Sequence, residues 1–140
     1  MAYVSVKDCI FCKIINKEIP SKIIYENEKC IAFLDISPIS KGHTIVVPKN
    51  HSSTIEDILE KDLISVFKVV KDLAIHIHKK LKIGGYNILQ NNFKPAGQAI
   101  AHFHVHIIPR NEDDNRFKIK LPREQANENE LEIIFKKLTT

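Results

Sequence analysis

Hydrophobic and polar positions alternate strictly near the end of the chain, where residues 101–108 read A-H-F-H-V-H-I-I. Because successive side chains of a β-strand point to opposite faces, a strand here sends its apolar residues into a core and aligns three imidazoles on the other face. Those imidazoles belong to His102, His104 and His106. In a helix the three rings would spread around much of the circumference. The pattern therefore predicts a strand that carries three histidines along one face.

The apolar spacing of the remaining chain predicts an α+β fold. Helical spacing follows Asp8, a candidate cap, in C-I-F-C-K-I-I-N, and it returns over a long segment from about Glu56 to Leu81. Strand-like runs precede and follow the long helix, namely K-I-I-Y-E, C-I-A-F-L-D, H-T-I-V-V, Tyr86–Asn91 and the histidine strand. Hairpin-sized connections then predict a five-stranded antiparallel sheet with two main helices packed on one side. Residues 129–138 can form one further amphipathic helix in the tail.

Charge and composition narrow the classes of partner. The 140 residues carry a net charge of +4, and basic and acidic side chains interleave along the whole chain. This mild charge fits an anionic small ligand and argues against nucleic acid, for which a basic block with interleaved aromatic residues is expected. No apolar run approaches the ~18 residues that a membrane-spanning helix needs.

The cysteines and the first residues predict a compartment. Three cysteines are an odd number, so a closed disulfide framework is not expected. The start, M-A-Y-V-S-V-K-D, lacks the apolar stretch of a secretory signal peptide. We therefore expect a cytoplasmic protein with reduced thiols.

The aligned histidines, which His43 can join, suit two kinds of chemistry. A neutral imidazole can attack phosphorus and later depart, provided that one ring nitrogen is bare and the other is held as a donor. Flanking imidazoles can bind phosphoryl oxygens or move protons. Three histidines can instead hold a catalytic zinc ion, and the spacing alone does not separate the two interpretations.

The loop before the histidine strand favours a phosphate ligand. It reads N-N-F-K-P-A-G-Q-A from Asn91 to Ala99, with Gly97 where a backbone can approach a ligand and Gln98 as a further donor. Backbone N–H groups of such a loop can hold phosphate oxygens. Asp35, at the end of the second strand, can accept hydrogen bonds from a ribose diol, although it can also be a solvated loop residue.

The pair Cys9-x-x-Cys12 suggests a second, separate site. On a helix these thiols share a face, and with His51 and His102 they make a ligand set suited to tetrahedral zinc. A redox-active pair of cysteines is expected between a strand and a helix, and this chain lacks that context. Two inert, packed cysteines are the simple alternative. Cys30 alternates with core residues and is predicted to be a buried apolar group.

Taken together, these residues resemble the histidine triad (HIT) family, most closely its Hint-like nucleoside phosphoramidase branch. The family pattern His-φ-His-φ-His-φ-φ, with φ apolar, matches H-F-H-V-H-I-I at 102–108. D-C-I-F-C-K-I-I, A-F-L-D-I-S-P, G-H-T-I-V-V-P-K-N-H and the N…G-Q loop follow the expected order. The resemblance covers about three quarters of the chain.

The resemblance implies a role for each candidate residue. His104 is implied as the nucleophile that forms a nucleotidyl-histidine, with His106 and His43 as its partners at the α-phosphate. His102 is implied as a structural zinc ligand together with Cys9, Cys12 and His51. Asp35 is implied to bind the ribose. The base and sugar pocket is implied to contain Ile10, Phe11, Ile14, Phe33 and Ile36, and the phosphate contacts Asn91, Gly97 and Ala99.

The resemblance also implies a substrate and an assembly. Family members form homodimers through the long helix and the sheet edge, and they hydrolyse purine nucleoside phosphoramidates such as AMP (or GMP) joined to an amine. Zinc is implied to be structural, with no cofactor required for the chemistry. Residues 1–110 are expected to form the HIT domain, and residues 111–140 an extension that packs on the domain or on the dimer partner.

Two alternatives stay open. Many Hint enzymes have serine where this chain has Ala99, so a nucleotide-binding or regulatory module with little turnover is one alternative. A metalloenzyme that uses the triad as zinc ligands is the other. The last triad residue is His106 rather than glutamine, which favours a hydrolase over the nucleotidyl-transferase branch.

Overall fold

A computed structural model describes residues 3–114 and 123–140. Within them the chain forms three α-helices, five strands and one short 3₁₀ helix. The helices are α1 (Ile10–Ile15), α2 (Glu60–Leu81) and α3 (Glu128–Thr139), and the 3₁₀ helix is Lys94–Ala96. The strands are β1 (Ile23–Glu26), β2 (Cys30–Leu34), β3 (Thr44–Pro48), β4 (Gly85–Leu89) and β5 (Val105–Arg110).

The five described strands form one sheet in the order β1-β2-β3-β5-β4, and every neighbouring pair is antiparallel. The prediction of a five-stranded antiparallel sheet is therefore confirmed. β5 lies between β3 and β4, so that His106 pairs with Ile45 on one side and with Leu89 on the other. The histidine strand consequently occupies the interior of the sheet.

The sheet buries both of its faces, and the prediction that helices pack on one side is wrong. α2 covers one face, where its apolar stripe packs with Cys30, Ala32 and Val46. α1 covers the other face, where Phe11 and Ile14 join Ile31, Phe33, Ile45 and Val47. Strand alternation places these two sets on opposite faces, and both sets are apolar. Each face therefore needs its own cover.

Several predicted boundaries shift. β5 begins at Val105 rather than at Ala101, because the chain bends at residues 100–102. α2 begins at Glu60 rather than near Glu56, with Leu59 as its N-cap. Residues 53–57 form a separate turn instead, in which the Asp57 carboxylate accepts the backbone N–H groups of Ser53 and Thr54. The cap of α1 is Cys9 rather than Asp8.

α3 confirms the predicted tail helix, and its side chains are exposed. Asn127 caps it by accepting the N–H of Glu130, and none of its residues is buried in the single chain. Its packing on a dimer partner stays a prediction, and residues 115–122 of the predicted extension lie outside the described residues. Among the described residues, no helix is both long enough and apolar enough to cross a bilayer.

Candidate functional site

Burial, a hydrogen bond to the backbone and a ring contact hold His104 in place. Only 6% of the residue is exposed, and its Nδ1 lies 2.6 Å from the backbone oxygen of His102. A carbonyl oxygen can only accept, so Nδ1 carries the proton and Nε2 is bare. The Phe11 ring meets the His104 ring edge-on at 5.1 Å and restricts its rotation. The fold thus holds His104 in the tautomer that a nucleophile requires.

His43 and His106 form a second ordered pair beside it. The backbone N–H of Ile39 donates to Nδ1 of His43 over 3.1 Å, which makes Nδ1 the bare nitrogen and Nε2 the protonated one. Nε2 of His43 lies 2.8 Å from Nδ1 of His106 and donates to it. His106 therefore keeps its own proton on Nε2. The rings of His104 and His106 lie 4.8 Å apart, so both belong to one site.

The site holds its imidazoles neutral near pH 7. Burial, together with the neighbouring His104 and His43, lowers the pKa of His106 to about 4. Burial also lowers the pKa of His104 and of His43, while the carboxylate of Asp35 opposes the shift in both. Neutral rings are what nucleophilic attack by His104 needs.

These lowered pKa values predict a stability that depends on pH. The unfolded chain binds protons on histidine near pH 6.5, whereas folded His106 resists protonation until about pH 4. The neutral His106 therefore contributes its whole stabilising effect to the free energy of unfolding above about pH 6.5. This contribution is lost as the pH is lowered towards 4. Urea unfolding at about pH 7.5, 6 and 5 measures this, and His106→Asn is expected to lose less stability than the wild type. An identical pH dependence in the two proteins would contradict the assignment.

The residues predicted to contact the nucleoside divide into a buried group and an exposed group. Phe11 and Phe33 are buried and meet edge-on at 5.5 Å, and Ile14 is buried with them. Ile10 and Ile36 are exposed, Ile36 by 91%, so they are open to a ligand or a partner. Asp35 lies beside the imidazoles, with Oδ2 3.7 Å from Nε2 of His43. Its Oδ1 accepts the N–H of Ser37, which orients the carboxylate.

The predicted phosphate loop is held by Gln98. Its Oε1 accepts the N–H of Phe93 over 2.8 Å, and its Nε2 donates to the carbonyl oxygens of Ser53 and Ile100. Both the oxygen and the nitrogen of the Gln98 amide are thus bonded within the protein. The sequence predicted that Gln98 donates directly to a ligand, whereas these bonds indicate that it positions the loop. Gly97 has φ +92°, and a Cβ at this position would lie 3.7 Å from Nδ2 of Asn91. Ala99 is exposed and lines a cavity of about 430 Å³ with Ile10 and His51.

The predicted metal ligands converge on one point. Nδ1 of His102 lies 3.4 Å from Sγ of Cys9, 3.6 Å from Sγ of Cys12 and 3.1 Å from Nδ1 of His51. Sγ of Cys12 lies 3.5 Å from Nδ1 of His51. With Zn–S bonds of about 2.3 Å and Zn–N bonds of about 2.0–2.1 Å, the edges of a tetrahedron are about 3.3–3.8 Å long. Three of these distances lie within that range and the distance between the two Nδ1 atoms is slightly shorter, so these residues form a possible metal site.

Hydrogen bonds outside the cluster prepare its donor atoms. Nε2 of His102 donates to the carbonyl oxygen of Pro48 over 2.9 Å, which leaves Nδ1 bare for a metal. The N–H of Val6 points to Sγ of Cys12 over 3.4 Å, where it can stabilise a thiolate. Burial raises the pKa of the Cys9 thiol, so a cation would have to supply the charge that favours its ionisation.

The triad is thus divided between two sites, and the described geometry does not gather three histidines around one ion. His102 belongs to the cysteine cluster, and Nδ1 of His104 is bonded to a carbonyl. Asp35, His43 and His106 also bring donor atoms within 4.8 Å of one another, but Nε2 of His43 carries a proton that faces His106. A metal at that point would have to displace this proton.

Backbone groups complete the site, and no side-chain pattern indicated them. The N–H of Ile39 and the carbonyl oxygens of His102 and Pro48 fix three tautomers. Every residue has such groups, so only the fold decides which of them meet a histidine.

Comparison with known proteins supplies the family. The family model described as HIT domain matches residues 16–113. The uncharacterized HIT-like protein MJ0866 of Methanocaldococcus jannaschii is 52% identical over 106 residues, covering 76% of this chain and 81% of that protein. The adenosine 5'-monophosphoramidase HNT1 of Saccharomyces cerevisiae is 38% identical over 130 residues, covering 93% and 80%.

A solved structure agrees with the fold. The Zn-bound histidine triad family protein of Mycobacterium smegmatis superposes with a TM-score of 0.75 at 32% identity, covering 83% of this chain and 84% of that one. The five-stranded antiparallel sheet with its two main helices is therefore the fold of this family, as the sequence predicted, although the helices cover opposite faces. By its matching family model, its relatives and its architecture, the chain belongs to the HIT domain family.

Proposed function

We propose that this protein is a nucleotide-binding hydrolase that acts at the α-phosphate of purine nucleoside phosphoramidates through a covalent intermediate on His104. One observation carries the proposal. The Nδ1–H of His104 is bonded to the carbonyl of His102, which leaves a bare Nε2 in a site where burial keeps the ring neutral. The name of the relative HNT1, adenosine 5'-monophosphoramidase, supports the same reaction class.

The geometry suggests a double displacement. Nε2 of His104 attacks phosphorus, the bond between phosphorus and the amine breaks, and the amine leaves after it takes a proton. Ala99 has no hydroxyl to give that proton, so a water molecule gives it, and the hydroxide that remains takes up the proton released by the second water molecule in the next step. Water then attacks the nucleotidyl-histidine, which releases the nucleoside monophosphate and restores the bare Nε2.

The neighbouring pair contributes electrostatic stabilisation. Nε2–H of His106 is the donor that can reach a phosphoryl oxygen, because its Nδ1 is occupied by His43. Charge that develops on the phosphoryl oxygens is stabilised by such a preorganised donor. In this proposal Asp35 binds the ribose, and the apolar side chains around Phe11 and Phe33 contact the base.

We also propose that the ion held by Cys9, Cys12, His51 and His102 is zinc and that it is structural. Four protein donors complete a tetrahedron and leave no open position for a substrate, as in structural zinc sites. The ion would supply no chemistry to the reaction. It would fix His102, whose carbonyl in turn holds His104.

Exposed apolar side chains support the predicted homodimer. Ile64, Phe67 and Ile75 are exposed along α2, and β4 forms an edge of the sheet with Tyr86 and Ile88 exposed. A second copy could cover both features. Sedimentation equilibrium measures the assembly directly, and a monomer at micromolar concentration would remove the dimer from the proposal.

Hydrolysis of an AMP amide tests the proposal. The wild type is expected to release AMP and the free amine, and a chelator in the assay that removes loosely bound metal is expected to leave the rate unchanged. The exposed Ala99 favours one competing function, a nucleotide-binding module with little turnover. Tight binding of AMP without any release of amine would favour that module over the hydrolase.

A further inference from the structure

The backbone at Phe93 has a conformation that residues other than glycine rarely adopt. Its φ is 68° and its ψ is 157°. This is the region reached almost only by glycine, and it is distinct from the left-handed helical region in which Lys82 lies at φ 52° and ψ 42°. A phenylalanine in this conformation is strained because its Cβ crowds the backbone.

Gln98 holds Phe93 in place. Its side-chain oxygen accepts the N–H of Phe93, while the carbonyl of Phe93 accepts the N–H groups of Ala96 and Gln98. The Gln98 amide is itself anchored to the carbonyls of Ser53 and Ile100. Both backbone groups of Phe93 are therefore fixed by the loop, and the strain is imposed by this network rather than relieved by it.

Packing among the described residues does not compensate for this strain. The Phe93 residue is 53% exposed, whereas the phenylalanines of the core are at most 4% exposed. Glycine would adopt the same backbone without strain and would lose little buried surface. The aromatic ring is therefore better explained by a contact that forms outside the single chain.

The position of the ring indicates which contact. Phe93 lies two residues after Asn91, and its backbone N–H donates to Gln98, within the loop whose residues Asn91, Gly97 and Ala99 the family resemblance implies as phosphate contacts. The base has its own aromatic pair, Phe11 and Phe33, on the α1 side of the sheet. What remains of the substrate beyond the phosphate is the leaving group.

We infer that Phe93 is a specificity residue that stacks on the leaving group, and that the preferred substrates are nucleotidyl conjugates with a flat aromatic leaving group. This inference rests on the proposed function and adds no chemical step to it. Aromatic rings prefer offset or edge-on contact with one another, and an exposed ring fixed by its backbone offers such a surface with little loss of freedom.

Two substrates that differ only in the leaving group test the inference. One is AMP joined to ammonia, and the other is AMP joined to an indolylethylamine. The wild type is expected to prefer the second by kcat/KM, and Phe93→Leu to reduce that ratio about 5-fold, the size of one aromatic contact. Phe135→Leu removes another exposed phenylalanine, on α3, and is expected to keep the wild-type ratio.

A stability measurement separates functional strain from ordinary packing. Phe93→Gly is expected to raise the melting temperature by about 2–5 °C, because the strain is relieved, and also to reduce the substrate ratio. A ring that served packing would give the opposite shift in melting temperature. A lowered melting temperature would therefore overturn the inference.

Binding to an inactive protein distinguishes this inference from the proposed function. In the His104→Ala background, the indolylethyl amide is expected to bind more tightly than AMP joined to ammonia, and Phe93→Leu to reduce that difference about 5-fold. If the wild type turns over neither substrate but this binding difference persists, the proposed hydrolysis fails and the contact stands. If Phe93→Leu leaves the ratio unchanged in both assays, the inference that Phe93 contacts the leaving group is wrong. The exposed ring would then be explained by docking of a partner protein.

Discussion

Replacing His104 with alanine is expected to lower kcat/KM for an AMP amide by at least about 10³-fold, because the attacking atom is lost. AMP binding is expected to survive. The base would still meet Phe11 and Phe33, and the phosphate would still meet the loop that Gln98 holds. Release of amine measured by chromatography, together with calorimetric binding of AMP, checks both parts.

A second histidine provides the matched control for this substitution. His76 is exposed on α2, so His76→Ala removes an imidazole without touching the site. Its kcat/KM is expected to equal that of the wild type. The contrary result is that the wild type, His76→Ala and His104→Ala all turn over the substrate equally slowly while all three bind AMP. That result would contradict the hydrolase and leave the nucleotide-binding module as the function.

Replacing Cys12 with alanine is expected to abolish stoichiometric zinc binding and to destabilise the fold. Cys12 is buried, and its Sγ lies within 3.6 Å of two of the other donor atoms. A ligand present at several hundred times its Kd stabilises a protein by about 3–4 kcal/mol, which corresponds to a melting temperature roughly 10 °C higher for a chain of this size. Activity should fall as well, because His102 would lose its anchor.

Cys30 is the matched control for the loss of a buried thiol. It is fully buried on the α2 side of the sheet and belongs to no donor cluster among the described residues. Cys30→Ala is expected to cost about 1 kcal/mol through packing and to retain the metal. Metal analysis and thermal unfolding of both variants check the assignment. Unchanged stoichiometric zinc in Cys12→Ala would place the ion elsewhere.

Periodicity was sufficient for much of the fold. The alternation of histidine with Phe103, Val105 and Ile107 predicted that the apolar residues enter a core, and all three pack beneath α2. The hairpin of β1 and β2 and the tail helix were also predicted correctly. The placement of the helices was not, although T-I-V-V-P in β3 is a continuous apolar run of the kind that indicates a strand buried on both faces.

The geometry of the site was harder to predict where it depends on backbone atoms and on residues distant in the sequence. The sequence and its resemblance indicated that His102 and His104 have different roles, but the carbonyls of Pro48 and His102 that enforce those roles follow only from the fold. Gln98 was predicted as a ligand donor because its amide is a donor anywhere in a loop. Its partner Ser53 lies 45 residues earlier, so its positioning role required the structure.

The strained residue illustrates the same limit. Nothing in N-N-F-K-P-A-G indicates that its phenylalanine has a positive φ, and glycine at residue 97 is the natural candidate for that conformation. Gly97 does adopt a positive φ, yet the loop needs a second such residue at Phe93 to bring its N–H to Gln98. A local sequence rule finds the first and overlooks the second.

The most direct test of the covalent mechanism is to identify the residue that carries the nucleotidyl group during turnover. Wild-type protein is mixed with an AMP amide, denatured at alkaline pH to preserve a phosphorus–imidazole bond, and analysed by intact mass and peptide mapping. One adenylyl group on His104, absent from His104→Ala, is the result expected here. Rapid turnover without any adduct, accompanied by inversion of configuration at phosphorus, would show that water attacks the substrate directly and would contradict the role of His104 as the nucleophile.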